Sequence, residues 1–116
     1  MMARDVEDLM LLHKRVIENL EEFSMSAEQQ IEKLKRFDVA DELASDFSDI
    51  ALEYAKILFD QDWLTEEQLK LFLEIDKKLD KMSMNKDLWS NEAVKSNNEW
   101  EECRTRGKEL LATFGY

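Results

Sequence analysis

Few residues in this chain have side chains that could do catalytic or metal chemistry. His13 is the only histidine and Cys103 the only cysteine, whereas a zinc site needs three or four such ligands at close spacing. A glycine-rich phosphate loop is also excluded, because the only glycines are Gly107 and Gly115. The segment 60–62 begins like a calcium loop but lacks the glycine and the glutamate that complete one. We therefore expect a protein that is not an enzyme and that binds no metal and no cofactor.

The chemistry that the sequence does offer is a run of carboxylates. Residues 38–67 hold ten acidic side chains and one basic side chain, Lys56, which gives this segment most of the chain's net charge of −11. On a regular helix, at about 100° per residue, six of the acids fall close to one line. These six are Asp38, Glu42, Asp46, Asp49, Glu53 and Asp60. Like charges at this spacing repel, so a basic partner would replace repulsion by attraction and speed association. The alternative is an ordinary solvated face.

Aromatic residues stand at the end of this acidic segment. Phe59 and Trp63 flank Asp60 and Asp62, and aromatic anchors ringed by charge are typical of the centres of protein interfaces. The sequence therefore predicts a partner-binding surface that joins the acidic row to this corner. Its residues are Asp38, Glu42, Asp46, Asp49, Glu53, Phe59, Asp60, Asp62 and Trp63. The alternative is that Trp63 only fills the corner between two helices.

The charge balance also decides which partners to expect. An excess of acids disfavours direct nucleic-acid binding and anionic membranes, because both require lysine and arginine. No apolar run approaches the roughly 18 residues of a membrane span. The acidic opening of the chain does not resemble an export signal, and a single cysteine suits a reducing compartment. We expect a cytoplasmic protein with a basic protein partner, with self-association as a further alternative.

The elements that must position these residues are helices. The chain has no proline, and its apolar residues recur at spacings of three and four without any period-two alternation. We predict an all-α fold, a single-domain antiparallel bundle of about five to six short helices over residues 1–116. The predicted helices span 3–23, 27–36, 39–59, 66–81, a short stretch near 87–95, and 97–114.

Helix starts are marked by polar residues that can accept from free backbone N–H groups. We predict capping boxes at Ser26 with Gln29, at Thr65 with Gln68 and at Ser96 with Glu99, and a cap at Asp38. Helices two and three could instead form one long kinked helix. The predicted apolar face of the third helix consists of Leu43, Phe47, Ile50, Ala51, Tyr54, Ile57 and Leu58.

Single residues on the apolar faces favour structural roles. We expect His13 at the core or its boundary, Cys103 and Trp100 in the core, and Gly107 where another helix approaches closely. Trp63 and Trp89 are the tryptophans whose exposure the pattern leaves open.

In size, charge and fold class the chain resembles small, acidic, all-helical bacterial proteins that neutralise a basic partner, such as the immunity proteins of toxin systems. The resemblance implies an inhibitor or immunity-type protein that captures a basic partner, such as a toxin. Two alternatives follow from the residues themselves. One is a nucleic-acid mimic whose carboxylates imitate phosphates and occupy a DNA- or RNA-binding protein. The other is a structural subunit that self-associates through an apolar face.

Overall fold

A computed structural model describes residues 5–116, and every regular element within them is helical, which confirms the predicted all-α bundle. The elements are α1 (Val6–Ser24), α2 (Ala27–Lys33), α3 (Val39–Asp46), a π-helical turn (Phe47–Ala51), α4 (Leu52–Asp60), α5 (Glu66–Ser83), a 3₁₀ turn (Lys86–Leu88), α6 (Asn91–Ser96) and α7 (Asn98–Thr113). Because the π turn joins α3 to α4 without a break, the two form one rod.

Four long rods pack side by side, with each rod antiparallel to its neighbours. The rod α3–α4 lies between α1 and α5, and α7 closes the ring between α5 and α1. The short helices α2 and α6 contact each other at one end of this ring, and α6 also packs on α3 and α7. The acidic segment therefore lies on a rod whose two neighbours, α1 and α5, bound its outer face.

The helix ends follow the local sequence at most positions. Both capping boxes of Ser26 and Thr65 form as predicted, and Asp38 caps α3 by accepting from the backbone N–H of Asp41. The predicted box at Ser96 is wrong. Its hydroxyl donates to a carbonyl of α6, and Asn97 caps α7 instead.

Helices α2 and α3 are separate, which resolves the alternative of one kinked helix. Leu34 leaves helical geometry, with φ −108° and ψ 16°, and the chain makes a short turn before Asp38. The predicted helix near 87–95 is present as two pieces, because the 3₁₀ turn ends at Leu88 and Ser90 caps a separate helix, α6.

The π turn changes which side of the rod faces the core. A π turn holds about one more residue than an α turn, with hydrogen bonds from residue i+5 to residue i. The N–H of Leu52 donates to the carbonyl of Phe47 in this way. Residues that follow the turn are therefore rotated relative to a regular helix. This rotation keeps the apolar residues that recur at steps of four on one buried line: Val39, Leu43, Phe47, Ala51 and Ala55.

The same rotation corrects the predicted apolar face. Ile50 was expected in the core, but it lies within the π turn and is exposed. Leu52 and Ala55 were not expected there and are buried. No glycine or proline marks the π turn, so the local pattern of residues predicted a regular helix here.

A row of aromatic rings fills the space between the rods. Phe47 stands between Phe23 of α1 and Phe72 of α5, with ring centroids 4.9 and 5.9 Å away. Trp100 and Cys103 are buried as predicted. Burial raises the pKa of the Cys103 thiol to about 12, so the thiol stays protonated and unreactive at neutral pH.

Gly107 lets α1 and α7 approach closely, as the sequence predicted. A Cβ at this position would overlap the hydroxyl of Ser24 and lie 3.1 Å from the ring of Phe23. The α1–α7 contact therefore depends on the absence of a side chain at Gly107.

A buried arginine, which the sequence analysis did not single out, ties the short helices to the rods. Arg104 of α7 is 5% exposed, and its guanidinium donates to the carbonyl of Val94 and to the side chain of Gln30. Gln30 is 1% exposed and donates to backbone carbonyls at the end of α1, that of Phe23 at 2.9 Å. Glu101 neutralises the guanidinium through two contacts, at 2.9 and 3.1 Å. One cation thus connects α2, α6 and α7, and through Gln30 also α1.

We expect Arg104→Ala to lower the free energy of unfolding by about 3 kcal/mol, because it leaves buried acceptors without a donor. Chemical denaturation with a helical circular-dichroism signal measures this. Arg106→Ala is the matched control, since Arg106 is an exposed arginine of the same helix that pairs with Glu109. Its loss should stay within about 0.5 kcal/mol. Equal losses in the two variants would contradict the role of the buried network.

Candidate functional site

The predicted acidic row lies on the α3–α4 rod, but the π turn divides it. Glu42 lies within α3, and Asp46 is the last residue of α3 before the turn. Asp46 is half-buried on the side of α1. Asp49 lies within the turn and faces α5. Glu53 and Asp60 continue from Asp49 at α-helical spacing and are exposed. The six acids therefore form two short rows on neighbouring faces rather than one straight line.

The surroundings of Asp46 oppose its negative charge. Partial burial raises its pKa, and the nearby charges of Glu42, Glu22 and Asp49 raise it further, whereas Lys33 acts in the opposite direction. Its own backbone oxygen accepts from the side chain of Asn19 at 3.1 Å, which ties this point of the rod to α1. The charge of this carboxylate is therefore opposed by burial and by three neighbouring acids.

The second row opens onto an acidic groove, which we define by Asp49, Asp76, Asp80 and Trp89. This cavity has a volume of about 300 Å³ and lies between the α3–α4 rod and α5. Ser48 donates to the carboxylate of Asp76 at 2.6 Å, which fixes that side chain across the gap.

Trp89 forms one wall of the acidic groove and is half-buried. Its indole N–H points to a carboxylate oxygen of Asp41 at 3.3 Å, and its ring lies 5.4 Å from that of Trp100. The groove thus combines carboxylates with an aromatic ring whose position is fixed by its contacts with Asp41 and Trp100.

Asp76 and Asp80 were not predicted as members of this surface. They stand in a stretch of mixed charge with Lys77, Lys78 and Lys81. Helical spacing separates the two signs, because residues four apart share a face and their immediate neighbours do not. The i, i+4 spacing of the two aspartates therefore places them on one face of α5, but only the packing of α5 on the rod brings them beside Asp49.

The corner after α4 has the hydrogen bonds of a Schellman motif. The N–H of Trp63 donates to the carbonyl of Leu58 at 2.8 Å, and that of Asp62 donates to the carbonyl of Phe59 at 3.0 Å. Asp62 takes a left-handed conformation, with φ 64°, at the position where glycine is most common. Asp62 therefore ends a helix, whatever else its exposed carboxylate does.

Trp63 fills the corner and also borders the surface. It is half-buried against the core, and its ring lies 6.4 Å from that of His13. His13 is half-buried and makes an edge contact with Phe114 at 5.4 Å, which agrees with the predicted place at the core boundary. The rings of His13 and Trp63, together with Met10 and Tyr116, line a shallow groove beside α1. Phe59 is also half-buried, so neither aromatic residue of the corner is fully exposed.

Within residues 5–116, no cluster of three or more histidine, cysteine, aspartate or glutamate side chains has the geometry to hold a metal ion. No helix in the same range combines the length and the apolar character needed to cross a membrane. Comparison of the chain with protein-family models, with curated proteins and with solved structures finds no match.

We expect Asp46→Asn to stabilise the protein at pH 7 by about 0.5–1 kcal/mol, because it removes a charge that burial and three neighbouring acids oppose. The folded-state pKa of Asp46 lies above 3.8, so the cost of its charge is present above that pKa. The gain should therefore shrink as the pH falls through the raised pKa towards 3.8. Urea denaturation of the wild type and of Asp46→Asn between about pH 3.5 and about pH 7 measures this difference.

The control for Asp46→Asn is Glu53→Gln, which removes the same charge from an exposed position that pairs with Lys56. A stabilisation by Glu53→Gln of equal size and equal pH dependence would show that the effect is not local to Asp46.

We expect Asp62→Gly to raise the free energy of unfolding by about 0.5–1 kcal/mol, because glycine adopts positive φ without steric cost. Thermal and urea denaturation measure the change. Asp62→Ala removes the same charge but keeps the Cβ, so it should bring no such gain. An equal gain from Asp62→Ala would assign the effect to charge and not to backbone geometry.

Proposed function

We propose that this protein is a non-enzymatic interaction module that captures a basic protein partner through its acidic face, in the manner of an inhibitor or immunity protein. The observation that carries the proposal is the set of like charges along the α3–α4 rod, which the fold leaves almost without cations. Within residues 5–116 the only ion pair made by an acid of the row joins Glu53 to Lys56, 3.5 Å apart, and both side chains are exposed. Such a pair contributes little.

The electrostatic cost of this surface supports a binding role. Asp46 stays next to Glu42 and Asp49 although burial, and then the charges of its acidic neighbours, raise its pKa. A cationic partner would stabilise these three carboxylates at once and would also raise the association rate. A protein that needed only solubility could distribute the same charges without this local repulsion.

The acidic groove fits an arginine side chain of the partner. A guanidinium is planar, pairs with carboxylates in a bidentate manner, and stacks on aromatic faces. Asp49 and Asp80 supply exposed carboxylates at the rim, and Trp89 supplies the aromatic wall. The volume of about 300 Å³ is enough for one such side chain. We propose this groove as the central contact of the interface. The corner at Asp60 and Trp63, which does not line the groove, would lie at the periphery of the interface.

Self-association is the second candidate function, and one observation favours it. Val6, Met10 and Leu11 are each more than half exposed at the start of α1, and Tyr116 is 68% exposed. Apolar side chains grouped in this way are common at interfaces. Light scattering at micromolar concentration distinguishes a monomer from an oligomer.

The nucleic-acid mimic receives less support than the other two. Imitation of a phosphate backbone needs carboxylates at regular spacing along a line, and the π turn interrupts that line at Asp49. We propose cytoplasmic residence on the basis of the single buried thiol of Cys103, which suits a reducing compartment.

The test is charge reversal of the acidic face, with Asp46, Asp49 and Glu53 changed together to lysine. We expect wild-type protein to retain a basic partner from native lysate at low salt and to lose it at about 0.5 M salt, where exposed charges are screened. The triple variant should retain none of that partner. Mass spectrometry of the retained proteins identifies the partner, and titration calorimetry with the purified partner gives the affinities.

The matched control reverses three exposed acids on other helices, Glu7, Glu28 and Glu109, and so makes the same change in net charge. It should keep the affinity to within about threefold, because none of the three belongs to the acidic row or lines the acidic groove. The surface is wrongly assigned if the two triple variants lose binding equally, or if the acidic-face variant binds as tightly as wild type.

A further inference from the structure

The face of α5 next to the one that borders the acidic groove carries lysines. Lys77, Lys78 and Lys81 line a cavity of about 630 Å³ between the end of α5, the 3₁₀ turn and the start of α7. Small-molecule sites in proteins usually have volumes of about 300–1,000 Å³. The cavity therefore has room for a small ligand, and its cations contrast with a chain whose net charge is −11.

The walls of this cavity are apolar and held in place. Met82 is buried beneath it, and Leu88 of the 3₁₀ turn is half-buried at its side. The indole N–H of Trp100 donates to the carbonyl of Leu88 at 2.7 Å, which anchors the turn to α7. A ligand with an apolar body would thus meet a preformed surface.

The charges of the lining are divided between paired and unpaired groups. Lys78 binds Glu99 at 2.6 Å and Glu102 at 2.9 Å, so this group of three carries a net charge of −1. In the part of the chain that the structure describes, Lys77 and Lys81 have no carboxylate within ion-pair distance. Within the same residues, the remaining acid of the lining, Glu74, has no cation within that distance.

The polar end of the cavity presents donors. Lys77 and Lys81 are four residues apart and so share one face of α5. Next to them, the side-chain oxygen of Asn85 already accepts from the backbone N–H of Asp87, which leaves its amide N–H groups to donate. Two ammonium groups and an amide thus border one end of an apolar cavity.

We propose that this cavity binds small amphipathic anions, with a carboxylate head between Lys77 and Lys81 and an aliphatic body against Met82 and Leu88. The unpaired ammonium groups of Lys77 and Lys81 attract an anion here, although Glu74 and the pairing of Lys78 with two glutamates reduce the local positive charge. Shape and apolar walls then favour a ligand with a hydrocarbon chain over a free inorganic ion. The proposal is independent of the basic protein partner, which would bind on a different face of α5.

The test is titration of the intact protein with decanoate, followed by backbone amide NMR. We expect saturable shifts that are confined to the end of α5, the 3₁₀ turn and the start of α7. Decylammonium, which has the same chain length and the opposite charge, should leave these amides unchanged. Absence of saturable shifts with decanoate, equal shifts with decylammonium, or shifts confined to the groove of Met10 and Trp63 would overturn the proposal.

Two double variants distinguish the specific contribution of Lys77 and Lys81 to decanoate binding from a general effect of net charge. Lys77→Gln with Lys81→Gln should weaken decanoate binding roughly tenfold, because two charge-assisted hydrogen bonds are lost. Lys70→Gln with Lys108→Gln makes the same change in net charge at exposed positions outside the cavity and should leave the dissociation constant unchanged. Equal weakening in the two double variants would also overturn the proposal.

Discussion

The hydrogen bonds of one buried guanidinium connect the parts of this fold that could not stay folded alone. Helices of seven and six residues, α2 and α6, are too short to be stable in water. Arg104 gives each of them a partner, because it donates to the side chain of Gln30 and to the carbonyl of Val94. Glu101 compensates the charge from the exposed side of the same helix. Polar contacts of Arg104 thus hold the two short helices at this end of the bundle.

The π turn is the second constraint, and it acts on both faces of its rod at once. Towards the interior it returns Phe47 and Ala51 to the line of buried residues, which steps of four would otherwise carry away from the core. Towards solvent it turns Asp46 to α1 and Asp49 to α5. Packing therefore determines where the charges lie. The acidic surface that we propose for binding a partner follows from the way the core is filled.

Local signals in the sequence were sufficient for much of the fold and for part of the site. The boxes at Ser26 and Thr65 depend on neighbouring residues only, so they could be predicted from spacing. The position of Ile50 could not, because the π turn forms in response to packing against α1. Contacts of Arg104 join residues far apart in the chain, and no local pattern encodes them. For the same reason the acidic groove, which needs Asp76 beside Asp49, became visible only in three dimensions.

Helix α5 has aspartates on one face and lysines on the next, and the width of a helix, about 10 Å, is an upper limit for the distance between the two faces. This distance is close to the screening length at physiological ionic strength, about 8 Å, so each side lies within the field of the other. A cation held at Asp80 would make the region of Lys81 more favourable to an anion, and the reverse holds to the same degree, because thermodynamic coupling is reciprocal. If both proposed ligands bind, their charges would therefore make binding positively cooperative, and added salt would weaken this coupling.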